Sequence, residues 1–164
     1  MLRGIVGVVY PAELKPGQFY VRSDYAGGRW LALCVGAAAG DGGSQDRWEL
    51  VFDRPDQSGP FLQVPSDSEP VALLPPVAVR VDPVAAAASP YIGQSFKGQL
   101  LVAGHSCFVI APFERGIGRA TIDLASGMQA ATSLPDGWLG FSDWSLVVGD
   151  GDEEKILMRY GGSD

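Results

Sequence analysis

Histidine is almost missing from this sequence. Of 164 residues only His105 carries an imidazole, and only Cys34 and Cys107 carry thiols. A zinc or iron site built on two or three histidines is excluded by that count, and a cysteine-based structural zinc site needs more ligands than these three residues supply. No metal and no cofactor is expected. Both cysteines sit in apolar stretches, Leu31 to Val35 and Cys107 to Ala111, where a thiol behaves as a small hydrophobe. A single disulfide between them is not implied.

Basic clusters are missing too. The chain has 12 Lys and Arg against 19 Asp and Glu, a formal net charge of −7, and no run of three basic residues. Binding a phosphate backbone needs clustered cations that release counterions, so nucleic acid is excluded as a partner. No stretch reaches the roughly 18 apolar residues that span a bilayer, so no membrane span is expected. The apolar start, Met1 to Tyr10, is too short for a signal segment and lacks a small-residue cleavage site. The expected compartment is cytoplasmic.

Long helical patterns are the third absence. The 22 glycines and 12 prolines break the chain into short pieces, and no dozen-residue stretch repeats apolar residues at helical spacing. The best helix candidate, Val84 to Ser89, is an alanine run between Pro83 and Pro90 that can make at most a turn or two.

What remains is strand. In 47–53, Trp48, Leu50 and Phe52 alternate with Arg47, Glu49 and Asp53; in 77–82, Val77, Val79 and Val81 alternate with Ala78, Arg80 and Asp82. Ala120, Ile122 and Leu124 alternate with Arg119, Thr121 and Asp123. Each predicts a strand with one wet and one dry face. Trp30 to Val35 and Cys107 to Ala111 are apolar on both faces and predict central strands covered from both sides. Three hairpins follow: 19–23 with 29–35, 100–103 with 106–110 across Gly104-His105, and 144–148 with 155–160 across an acidic loop. Glycine at the first position of the second turn suits type II′. Tight connections imply antiparallel pairing, so the expected fold is all-β, an antiparallel β-sandwich or a partly open barrel.

The two halves also share an order of events. Lys15-Pro16-Gly17-Gln18-Phe19-Tyr20-Val21 resembles Lys97-Gly98-Gln99-Leu100-Leu101-Val102, and each is followed by a hairpin whose apolar return strand holds a cysteine. This suggests an internal duplication, with a first β-unit over 1–82, a linker over 83–90 and a second β-unit over 91–164, packing either separately or as one domain.

Few residues point to chemistry. Ser106 and Cys107 adjoin His105 but alternate away from it on a strand, which leaves only a dyad with a distant group such as Cys34. No Gly-x-Ser-x-Gly elbow occurs. Asp150, Asp152, Glu153 and Glu154 crowd one loop without calcium-loop spacing, and read as a solvated turn that guards a sheet edge. Gly40-Asp41-Gly42-Gly43 and Gly116-Ile117-Gly118 resemble phosphate loops only in composition, with no helix behind them; the first lies in a predicted flexible loop over 36–46. The most informative cluster is Gly137-Trp138-Leu139-Gly140-Phe141-Ser142-Asp143-Trp144. Along one strand Trp138 and Trp144 share a face and Phe141 takes the other, either as core or as an aromatic surface for a partner or ligand.

These observations predict a non-catalytic β-module that binds a protein partner or assembles with itself, with Trp138, Phe141 and Trp144 as the expected surface. The positive mean hydropathy supports a covered apolar face. The alternatives are a small hydrolase using acidic residues or a His105 dyad, and a small-molecule carrier with an apolar cavity.

Overall fold

A computed structural model describes residues 5–23, 27–36, 47–54, 59–66, 68–81, 86–87, 99–115, 118–130 and 138–161. In the first half they form β1 (Gly7–Val9), β2 (Phe19–Ser23), β3 (Arg29–Gly36), β4 (Arg47–Val51), β5 (Phe61–Gln63), β6 (Val71–Leu73) and β7 (Val77–Val81). In the second they form β8 (Ala86–Ala87), β9 (Leu100–Ala103), β10 (Ser106–Pro112), β11 (Arg119–Asp123), β12 (Leu139–Phe141), β13 (Trp144–Val148) and β14 (Lys155–Tyr160). Two single 3₁₀ turns, Pro11–Glu13 and Gly151–Glu153, are the only helical elements among the described residues.

The strands make three antiparallel sheets, in the orders β1-β6-β2-β3-β4-β5, β11-β10-β9-β12-β8 and β14-β13-β7. None closes into a barrel, and the architecture is all-β and sandwich-like, as expected. The three expected hairpins are present as β2–β3, β9–β10 and β13–β14. Gly104 has φ +59 and His105 keeps a negative φ, which is the type II′ pattern that matches strand twist. The doubly apolar β3 and β10 each lie between two partners, as burial of both faces requires.

One core runs between the inner faces. Phe19, Leu33 and Leu50 from the six-stranded sheet meet Leu100, Val109 and Ile122 from the five-stranded sheet and Leu146 from the third. Truncating one of the fully buried leucines to Ala costs about 2–5 kcal/mol by loss of transfer energy and an unfilled cavity. The halves are also stitched by backbone: β7 pairs with β13 in full register, Leu62 bridges Phe113, and Gly36 bridges Met128.

Read in chain order, β1-β6-β2-β3-β4 and β8-β12-β9-β10-β11 follow the same path, with Phe19 opposite Leu33 in one sheet and Leu100 opposite Val109 in the other. In that correspondence Cys34 matches Ile110, so the two cysteines are not equivalent.

Two expectations need correcting. Within Val84 to Ser89 the described residues, Ala86 and Ala87, are strand β8 paired with Phe141 and Gly140, not helix; an alanine run is short enough here for strand pairing to override its helical preference. The rest of the expected linker over 83–90 lies outside the described residues, as do 37–46 of the expected flexible loop, the glycines at 40, 42 and 43, and residues 116–117. Second, the charged face of β4 is not wet: Glu49 is 0% exposed.

Candidate functional site

The aromatic cluster does not form one surface. Trp144 is buried on the core side of β13, stacked on Tyr160 with ring centroids 5.5 Å apart and meeting Phe52 edge-on at 6.4 Å. Phe141 is buried in the same core. Trp138 packs half-buried on the other side of the five-stranded sheet, against the cluster of Leu101, Ala103, Phe108 and Ile110. A bend at Ser142-Asp143 separates β12 from β13, so the alternation expected from one continuous strand does not run from Trp138 to Trp144. Of the three rings, only Trp138 lies outside the buried class.

His105 is exposed at the β9–β10 turn. Cys34 is buried on the far side of another sheet, clustered with Leu14, Tyr20, Ala32 and Val71, and burial pushes its thiol above the ordinary range. The two are not brought together as a dyad. Both cysteines are free. Glu154 from the acidic loop pairs with Arg80 on β7. Among the described residues no three His, Cys, Asp or Glu side chains gather closely enough to hold a metal ion.

The structure assembles a polar group that sequence reasoning missed. Tyr20 and Arg22 alternate onto the outer face of β2, Glu49 onto the same face of β4 and Gln63 onto that of β5. The Tyr20 hydroxyl donates to Glu49 Oε2 at 2.5 Å, and Arg22 Nη1 donates to both carboxylate oxygens at 3.0 and 3.1 Å. Gln63 Nε2 donates to Oε1, and Arg22 Nη2 donates to the Ser66 carbonyl. Arg54 then accepts the chain outward, donating to Gln63 Oε1 and to Glu114 Oε1, each at 2.8 Å. Arg22 and Tyr20 are 4% and 1% exposed. A buried ion pair this well bonded keeps each charge satisfied, and its closure leaves no group free for chemistry. Burial, then the Glu49 carboxylate, pushes the Tyr20 hydroxyl far above its ordinary range, so it stays a donor. The signal was present in β3: Trp30, Ala32 and Cys34 leave its outer face apolar, so an acid paired across from Cys34 had to be covered as well.

The sheet edges differ sharply. The β5 edge is closed by Phe113 and Glu114, and the β11 edge by Met128 to Ala130. The β14 edge carries Lys155 and Arg159, and the β7 edge carries Arg80. Among the described residues the β1 edge has neither cover nor charge: nothing ionisable lies between Ile5 and Val9, and Val6 and Val8 are 65% and 68% exposed. Behind it, between β1-β6-β2 and β13-β14, opens a cleft of about 350 Å³.

No known protein family, curated protein or solved structure matches this chain.

Proposed function

We propose that this chain is a non-catalytic β-module of the cytoplasm that assembles with a second copy of itself by strand addition at β1. The β1 edge, uncharged and uncovered among the described residues, carries this reading. Proteins guard such edges with charge, bulges or covering segments, and the other edges whose side chains are described have one or the other. A chain of net charge −7 repels its own copy at long range, so a contact between copies is best made through its uncharged stretch. Antiparallel pairing of β1 with another β1 is self-complementary and closes with two-fold symmetry. It covers Val6 and Val8, the most exposed large hydrophobes among the described residues. Together with flanking contacts, a stable pair would bury about 800 Å² per copy. We also take the common strand order of the two larger sheets as the mark of a duplicated β-unit, with β1 and β8 as matching edges.

Of the three rings, Trp138 is the one that could join a second contact, because Phe141 and Trp144 are buried. Amide hydrogen exchange tests the reading directly. Amides of 6–9 are expected to exchange more slowly as protein concentration rises. Exchange there that is independent of concentration contradicts assembly at β1.

A further inference from the structure

The cleft behind β1 has a chemical character of its own. Register places Val8 opposite Ala72, Ala72 opposite Val21 and Val21 opposite Leu31, so one row of side chains runs across four strands on the core-facing side. Along that row burial falls from Leu31, in the core, to Val8, which is open. Val148 and Leu157 form the facing wall. The sandwich therefore gapes at this corner, and its apolar lining continues from the core to the surface.

Two residues break the pattern. Alternation puts Arg29 on the same face as Leu31 and Leu33, and pairing with Val148 puts Lys155 on the core-facing side of β14. Both side chains are solvent-exposed, so they stand at the mouth of the cleft rather than inside it. Both line the cleft, from opposite sheets, with the Ser23 hydroxyl across from Arg29. Among the described residues neither cation has a hydrogen-bond or ion-pair partner. The chain as a whole is acidic, so two unpaired cations at the mouth of an apolar cleft stand out against its field.

We propose that this cleft binds a single-chain amphiphile with a carboxylate head, its tail along Val8, Ala72 and Val21 and its head between Arg29 and Lys155. The volume falls within the range of small-molecule sites, which are mostly apolar with a few polar groups fixing orientation. Tail burial supplies affinity at about 25 cal/mol per Å² of apolar surface, and the two cations select the sign of the head. Strand pairing at β1 uses main-chain groups at the sheet edge and shares Val8 with this site, whereas Arg29 and Lys155 belong to the cleft alone, so substitutions at those two cations test the cleft separately.

Calorimetric titration of the full chain with laurate, below its micelle concentration, tests the assignment. One laurate per chain is expected, with dodecyltrimethylammonium (same tail, opposite charge) and acetate (same head, no tail) each at least about tenfold weaker. The double variant Arg29→Gln/Lys155→Gln is expected to weaken laurate by about tenfold or more through loss of charge-assisted hydrogen bonds. Ala72→Phe, which fills the cleft from the exposed side, is expected to remove binding, with circular dichroism reporting that it is folded. Dodecyltrimethylammonium binding as tightly as laurate, or laurate affinity unchanged in the double variant, overturns the proposal. Val6→Lys touches the edge and not the cleft lining, so its effect on assembly is read separately from these outcomes.

Discussion

The Tyr20 hydroxyl lies 2.5 Å from Glu49 Oε2 across a separation of 29 residues, on the covered face of the six-stranded sheet. With Arg22 on the same carboxylate, the contact ties β2 to β4 across the intervening β3. Removing the acid leaves the Arg22 charge buried without its partner. Glu49→Ala is therefore expected to cost about 3–5 kcal/mol, and Tyr20→Phe, which removes one donor, about 1–3 kcal/mol. Urea unfolding monitored by tryptophan fluorescence measures both; a loss under about 1 kcal/mol for Glu49→Ala would show that the network is dispensable.

Alkaline stability follows from the same group. The Tyr20 hydroxyl is raised above its unfolded value of about 10 by burial first and by Glu49 second. The folded state therefore holds the proton more tightly, and its contribution is fully present below about pH 10. It is lost as pH climbs from there toward the folded value. Cys34, also raised by burial, adds a slope of the same sign starting near pH 9. Urea midpoints are expected to fall between about pH 9 and about pH 11, and to fall less steeply in Tyr20→Phe. Equal slopes in the two proteins would contradict this account of Tyr20.

Two glycines separate conformational from steric need. Gly104 has φ +59 but open space around a would-be Cβ, so Gly104→Ala is expected to cost about 1 kcal/mol from the turn alone. Gly127 has φ +65 and a Cβ there would overlap the backbone of Gly17 and Cys34, where the two halves touch. Gly127→Ala is expected to cost several kcal/mol more, and comparable melting temperatures for the two variants would refute the close approach.

Much of this fold was legible because short strands between breakers announce themselves by period. Arg47 to Val51, Val77 to Val81 and Arg119 to Asp123 alternate, and β3 and β10 are apolar throughout, so the hairpins and central strands follow from pattern. The short β1, β6 and β8 carry no such period, and their places depend on pairing with distant strands. The candidate site was less legible. Arg29 looks like an ordinary hairpin residue until register sets it on the face of Leu31, exposed at the mouth of the cleft, and Glu49 looks solvated until Tyr20, Arg22 and Gln63 close over it. The Trp138, Phe141 and Trp144 cluster drew attention by composition, which does not distinguish a ring in the core from one on the surface.

Thiol reactivity checks the placement of the outer-face cluster. Cys34 is buried and Cys107 half-buried, with both thiols pushed up by burial. Ellman's reagent is expected to leave Cys34 unmodified in the native protein, to modify Cys107 slowly, and to react with both in urea. Rapid native modification of Cys34 would place it elsewhere.

The central claim is that the bare β1 edge pairs with its own copy. Size-exclusion chromatography with light scattering at ~100 μM, a concentration that populates any dimer of micromolar affinity, tests it most directly. The account predicts a dimer for the native chain and a monomer for Val6→Lys, with the same circular dichroism. A native chain that stays monomeric at that concentration, or a Val6→Lys variant that remains dimeric, contradicts it.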